Sequence, residues 1–325
     1  MTTGTDMNGT TFEDIGNNTA LIDCQLYRPR LAGCYLVRDR DELAVIDCGT
    51  QHSVPAILAA IEALDARPEQ VRWIIPTHVH LDHAGGAGRL MQLCPDATLA
   101  THPKGLPHMI DPSRLQAGAT AVYGEAAFAR DFGTLEAIPA ERCMEAADGQ
   151  EFALGERSLR YVHTPGHANH HGCILDSKSG YLFTGDSFGL GYRELAQAAP
   201  YIVATTTPVA FDPEAWFASL EHMLALDPSA VCLTHYGKYD APAALAPMLR
   251  ESIQAHVDIA LAEEPDQTPG REQRLEQAVA RLLVEGAMAH TGIGHDQAQA
   301  IFAGDITLNA QGLAVWLARR AKRRH

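Results

Sequence analysis

Residues 77–83 read Thr-His-Val-His-Leu-Asp-His and follow directly on the apolar run 71–76, Val-Arg-Trp-Ile-Ile-Pro. No other stretch restricts the chain as much. A short run of branched and aromatic residues reads as a buried strand, and its C-terminal end delivers His78, His80, Asp82 and His83 to one place. On extended backbone His78 and His80 project to the same side, because side chains alternate with period two. A tight turn through Leu81 then brings Asp82 and His83 to the far side of the same cavity. A lone histidine at a strand end is most often a satisfied core or surface residue. Four ligand-type groups within six positions make that reading a poor one here. Imidazole nitrogens and carboxylate oxygens suit zinc, and equally divalent iron or manganese.

Three later segments repeat the arrangement. Thr164-Pro165-Gly166-His167 follows the strand predicted over 159–163, Thr184-Gly185-Asp186 the strand over 181–184, and His235 the strand over 230–234. Each puts a ligand-type residue at a strand end, beside small or turn-forming neighbours that permit close backbone approach. The remaining pattern is mixed. Runs 20–24, 34–37 and 43–46, broken by charged turns, read as antiparallel strands, with 97–100, 151–152 and 173–175 as further strands. Ser53-Val54-Pro55 opens a helix with Ser53 as its N-cap, a second helix covers 85–93, and a third 213–226. Residues 103–142 are irregular apart from a helical piece near 119–132, and read as an insertion over a functional face. Beyond 242 the spacing predicts helices over 243–263, 271–288 and 310–321. This gives a polar, disordered tail over 1–18, a mixed α/β domain over 19–240 and an all-helical extension over 241–325.

In that order, His78-Val79-His80-Leu81-Asp82-His83, Thr164–His167, Thr184–Asp186 and Thr234-His235 resemble the metallo-β-lactamase superfamily, the αββα metallohydrolases that include glyoxalase II and the lactonases. The resemblance spans about residues 20–240. It implies an αββα sandwich carrying two divalent ions, zinc first, with iron or manganese as alternatives. His78, His80 and His167 would hold the first ion, and Asp82, His83 and His235 the second. Asp186 would bridge them, and Asp82 would also orient the nucleophile or relay a proton. His171 answers to the last histidine of the family's TPGHxxxH motif, where this chain has His170 in place of the usual glycine. Two such ions about 3.5–4 Å apart share a bridging water and lower its pKa toward neutrality, giving a hydroxide that attacks a carbonyl.

The expected activity is hydrolysis of an ester, thioester or lactone of a small molecule. A di-iron redox or dioxygenase-type protein on the same fold is the alternative, as is a non-catalytic metal-binding regulator. All seven ligand positions are filled, which favours the enzyme; oxygen-reducing relatives carry Glu where this chain has His80. Tyr192, Arg193 and Tyr236 follow the ligands closely and are candidates to line a substrate pocket.

The net charge of −15 over 325 residues argues against nucleic acid as a partner. No run of about 18 or more apolar residues suggests a membrane span. The first residues have neither a basic n-region nor an apolar core, and the seven cysteines are scattered without CxxC spacing. Both features lead to the expectation of a cytoplasmic protein without a disulfide framework. The C-terminal helices read as core packing, or as a cap or homodimer face.

Overall fold

The computed structural model describes residues 3–5, 11–196, 199–265 and 268–323. The chain divides into two compact units. The first comprises Met1–His163, His170–Gly185 and Pro228–Asp240; the second comprises Thr164–Asn169, Asp186–Asp227 and Ala241–His325. The boundary expected at 240 is therefore incomplete, since two earlier segments cluster with the C-terminal helices.

Unit one holds two sheets. The larger runs in chain order through β1 (Thr3–Thr5), β2 (Thr11–Asp14), β3 (Thr19–Asp23), β4 (Gly33–Asp39), β5 (Glu42–Ile46), β6 (Val71–Ile75), β7 (Thr98–Thr101) and β8 (Cys143–Glu145). Its first five strands are antiparallel, as hairpin-length connections require, and β5 to β8 pair in parallel. The second sheet contains β9 (Glu151–Leu154), β10 (Arg157–His163), β11 (Gly172–Asp176), β12 (Tyr181–Gly185), β13 (Ala230–Leu233) and β14 (Gly237–Asp240).

Alternation within the strands explains why both faces of the larger sheet are covered. Leu21, Tyr35, Val37, Ala44, Ile46, Trp73 and Ile75 face Phe152, Leu159, Tyr161, Ile174 and Phe183 of the second sheet. The residues between them, Ala20, Ile22, Leu36, Leu43, Val45 and Ile74, pack with Ile57 and Ile61 of α1 (Val54–Ala63). After β6 come α2 (Leu81–Ala84) and α3 (Ala87–Leu93), whose Leu90 and Met91 join the same cluster. Between β7 and β8 lie α4 (Leu106–Ile110), α5 (Ser113–Tyr123) and α6 (Glu125–Asp131), the last two separated at Gly124, whose φ is +82°.

Several expectations need correction. Residues 3–5 and 11–14 form strands instead of a disordered tail, because Phe12 is buried in the core and its backbone pairs with Ile22; residues 1, 2 and 6–10 of the expected tail lie outside the described residues. Ser53 makes no capping bond to α1; its hydroxyl donates to the Cys24 carbonyl at 3.1 Å, and Thr50 caps the turn before the helix. Strands β8 and β14 were not foreseen, since their three or four residues carry no apolar run.

Unit two contains α7 (Pro213–Ala225), α8 (Pro242–Glu263), α9 (Arg271–Thr291) and α10 (His295–Arg323). Gly292, at φ +74°, ends α9, and its N–H returns to the Met288 carbonyl at 2.9 Å. Helix α10 begins well before the expected 310. By length and composition it could cross a membrane. Its buried residues Ala298, Phe302, Ile306, Ala310, Leu313 and Leu317 recur at helical spacing and pack it within the unit against α9.

Candidate metal centre

In unit one the loop after β6 is anchored by a buried carboxylate. Asp47 follows β5 with φ +54° and accepts from the Thr77 N–H at 2.7 Å and the Thr77 hydroxyl at 2.9 Å. Its other oxygen accepts from the Thr234 hydroxyl at 2.6 Å and faces His83 Nδ1 at 2.8 Å. Asp47 thus ties together the two strand ends that carry His78 and His235. His78 Nε2 and His80 Nδ1 converge to 2.8 Å, the same-side projection expected of alternate residues.

Helix α2 turns Asp82 and His83 back toward that point. A carboxylate only accepts, so the proton of neutral His83 resides on Nδ1, and Nε2 turns a lone pair toward Asp82 Oδ2, 3.6 Å away. His235 repeats the device. Its Nδ1 donates to the Leu31 carbonyl at 2.7 Å, and its Nε2 lies 3.2 Å from the same Asp82 oxygen. The donor atoms of Asp82, His83 and His235 all fall within 4.8 Å of one another. With neutral rings, three acceptors point at one spot, a repulsive arrangement that a divalent cation relieves. Two imidazoles and one carboxylate, each ring fixed through its other nitrogen, fit such an ion.

Unit two carries the other two candidate ligands. Gly166 sits at φ +140°, and a Cβ there would lie 2.4 Å from Trp216 Cα, so only glycine lets this loop lie against α7. The Ser219 hydroxyl and the Asp212 N–H hold the Pro165 and Gly166 carbonyls at 2.6 and 2.8 Å. His167, thus placed, donates from Nδ1 to the Thr205 carbonyl at 3.0 Å and points Nε2 at Asp186 Oδ2, 3.3 Å away.

His171 is fully buried in unit one, its ring 4.8 Å from that of His78. Gly185, at φ +49°, leaves it room: a Cβ would come within 2.5 Å of Thr77 Oγ1 and 2.6 Å of His171 Nε2. His170, in the place of the family's glycine, lies nearly parallel to His78 with ring centres 6.1 Å apart.

The pocket candidates fare differently. Tyr236 is 4% exposed and belongs to the core between the sheets, so it lines no open cleft. Tyr192 is also buried; its hydroxyl donates to the Asp305 carboxylate of α10, 3.2 Å from either oxygen, and its ring lies near Phe302. Arg193 opens a short 3-10 turn and is half-buried. His256 is buried in unit two and packed into a polar network.

Sequence reasoning passed over Asp47, whose signal was an acid ending the apolar run of β5. It also passed over an aromatic group beside Asp82. Leu81 packs on Phe128 and Phe132, while Tyr27 and Tyr123 set their rings 6.4 and 5.2 Å from Phe132. Both tyrosines are prominent surface aromatics, 61% and 39% exposed. Partial burial of their hydroxyls, reinforced by the charges of Asp131 and Asp82, raises both phenols above their ordinary range and keeps them neutral.

A family model described as the metallo-beta-lactamase superfamily matches residues 27–235. The chain is 30% identical over 238 residues to a metallo-beta-lactamase fold-containing protein, ST1585, of Sulfurisphaera tokodaii, covering 71% of this chain and 84% of that one. The crystal structure of ST1585 superposes with a TM-score of 0.63 over 92% of this chain and 99% of that one, at 24% identity. A metallo-beta-lactamase family protein of Thermus thermophilus, TTHA1429, gives 0.64 at 18% identity, with 94% of each chain covered. More distantly, the chain is 27% identical to an atrochrysone carboxyl ACP thioesterase of Aspergillus fumigatus over 118 residues, 36% of this chain and 28% of that one.

Proposed function

Because the chain belongs to the metallo-beta-lactamase superfamily, we propose that it is a dinuclear metal-dependent hydrolase acting on an ester, thioester or lactone of a small molecule. The observation that carries this reading is the convergence of His83 Nε2 and His235 Nε2 on Asp82, each ring fixed by an oxygen on its far side. On the motif order, Asp82, His83 and His235 would hold one ion, His78, His80 and His167 the other, with Asp186 shared. When bound, such ions bring the pKa of water toward neutrality and polarise a carbonyl oxygen.

The protein's own contribution is orientation. Asp47 and the Leu31 and Thr205 carbonyls select the Nδ1–H tautomer of three histidines, so ligand lone pairs are set before any ion arrives. The Asp82 side chain, 27% exposed, is the most accessible of its group and is placed to orient a nucleophile or pass a proton to a leaving group. Beside it, Tyr27 and Tyr123 offer neutral aromatic surface to an apolar substituent. The likeness to a thioesterase supports including thioesters in the substrate range.

Zinc is the ion we propose, with iron and manganese admitted by the same donors. Elemental analysis of the purified protein, then rates on a panel of thioesters, lactones and aryl esters, tests the reading. Asp82→Asn should lower kcat by about 10²-fold or more while leaving the fold intact. A metal-loaded protein inert toward the whole panel, or an Asp82→Asn variant as fast as the parent, overturns it.

A further inference from the structure

In the buried stripe of α10, among Ile306, Ala310 and Leu313, one polar side chain is fully enclosed: Asn309, at 0% exposure. A buried amide is costly unless it is satisfied, and most of the partners of Asn309 lie in one short segment, residues 204–206. Its Oδ1 accepts the Thr206 N–H at 2.8 Å and faces the Thr205 hydroxyl at 3.5 Å. Its Nδ2 reaches the Ala204 carbonyl at 3.5 Å, and its own backbone carbonyl accepts the Thr206 hydroxyl at 3.1 Å. The residues on both sides of Thr205 are therefore gripped by one asparagine.

The rest of the unit reinforces the grip. Gly312, one turn further along α10, lets the helix backbone close on Thr206: an added Cβ would sit 1.5 Å from the Thr206 carbonyl. From α8, the Ser252 hydroxyl accepts the Ala204 N–H at 2.9 Å. His256, also on α8, donates Nδ1–H to the Ser252 carbonyl at 2.8 Å, so its Nε2 is an acceptor for Asn309 Nδ2 at 3.3 Å. That contact fixes which way the Asn309 amide faces. The Thr205 carbonyl held in this frame is the acceptor of His167 Nδ1–H.

We propose that Asn309 is a positioning residue for His167, and that the C-terminal helices act on the metal centre by fixing one ligand's tautomer and aim through the Thr205 carbonyl. The proposal rests on the metal-hydrolase reading for the purpose of His167, but its geometry lies wholly within unit two.

The test uses the full chain, with and without metal. In the metal-free protein, nitrogen-15 NMR of the histidine rings should show His167 as the Nδ1–H tautomer; an Nε2–H ring overturns the proposal. Asn309→Leu, which keeps the number of side-chain heavy atoms and removes both polar ends, should give a mixed tautomer. It should also weaken binding of one zinc ion of the pair by about 10–100-fold in competition with a chromophoric chelator. Asn309→Asp, which retains the acceptor for Thr206 N–H, should recover part of that loss. A folded Asn309→Leu protein with unchanged tautomer and zinc affinity overturns the proposal. Should Asn309→Leu not fold, Ser252→Ala loosens the same segment from its other end. It should shift the His167 ring signal and weaken the same zinc ion, and neither change occurring counts against the proposal. The two readings fail separately. A wild-type protein that binds no zinc sinks the hydrolase but leaves the tautomer result standing, whereas zinc binding indifferent to Asn309 sinks only the positioning role.

Discussion

Asp47→Asn is the sharpest perturbation of the centre because it changes one atom and almost no volume. The carboxylate receives four donors: the Thr77 N–H and hydroxyl on one oxygen, the Thr234 hydroxyl and His83 Nδ1 on the other. An asparagine offers one oxygen and one NH2 in their place. Turning the NH2 toward Thr77 sets two N–H donors against each other in a buried site, so the amide oxygen stays there and the NH2 faces Thr234 and His83. The Thr234 hydroxyl adapts by rotating. His83 adapts only by moving its proton from Nδ1 to Nε2, the nitrogen aimed at Asp82. Loss of one charge-assisted bond costs about 1.5–3 kcal/mol of stability. The tautomer change should weaken binding of the ion proposed for Asp82, His83 and His235 by roughly 10–100-fold. Urea unfolding of the metal-free protein measures the first quantity, and zinc titration against a chromophoric chelator measures the second. A folded Asp47→Asn protein that binds both zinc ions as tightly as the parent refutes the orientation argument.

Two further outcomes follow from the same geometry. Burial holds His256 down at about 4 against an ordinary 6.5. Between those values the unfolded chain takes up a proton that the folded chain refuses. Stability is therefore full above about 6.5 and falls as the pH drops to about 4, by up to roughly 3 kcal/mol for this group. His256→Gln should flatten that leg of the urea-unfolding profile of the metal-free protein, and an unchanged slope between pH 7.5 and 4.5 contradicts the assignment. Tyr27→Ala should raise KM about tenfold for esters bearing a hexanoyl or phenyl group, with little change for acetyl esters, since one aromatic contact is worth about 1 kcal/mol or more; equal effects on both substrate sets remove the aromatic surface from the binding site.

Most of the sheet was legible because both faces of the larger one are buried. Runs such as Leu43–Ile46 and Trp73–Ile75 are then apolar at every position and stand out from charged turns. Strands were missed where burial is partial or the run is short: β8 reads Cys-Met-Glu and β14 Gly-Lys-Tyr-Asp. The early half of α10 escaped because its buried Ala298, Phe302 and Ile306 are separated by polar and small residues, and because Asn309 interrupts the stripe. Tyr236 looked like a pocket residue from its place after His235, yet at 4% exposure its ring fills the space between the sheets.

The candidate ligands were legible for a different reason from their orientation. Donor chemistry belongs to the residue itself, so His78, His80, Asp82 and His83 announce themselves within six positions. Orientation belongs to the partner. His83 is aimed by Asp47, 36 residues away, His235 by the Leu31 carbonyl at a separation of 204, and His167 by the Thr205 carbonyl at 38. Two of these three partners are backbone carbonyls, which every residue possesses, so no residue type could have marked them in advance. What decides whether such a carbonyl sits at the right place is the packing of the segment that bears it. For Thr205 that packing comes from α8 and α10 through Ser252, Asn309 and Gly312. A helical extension whose sequence reads only as amphipathic therefore bears directly on the histidine it holds, and changes in its buried polar residues should register in metal affinity before they register in secondary structure.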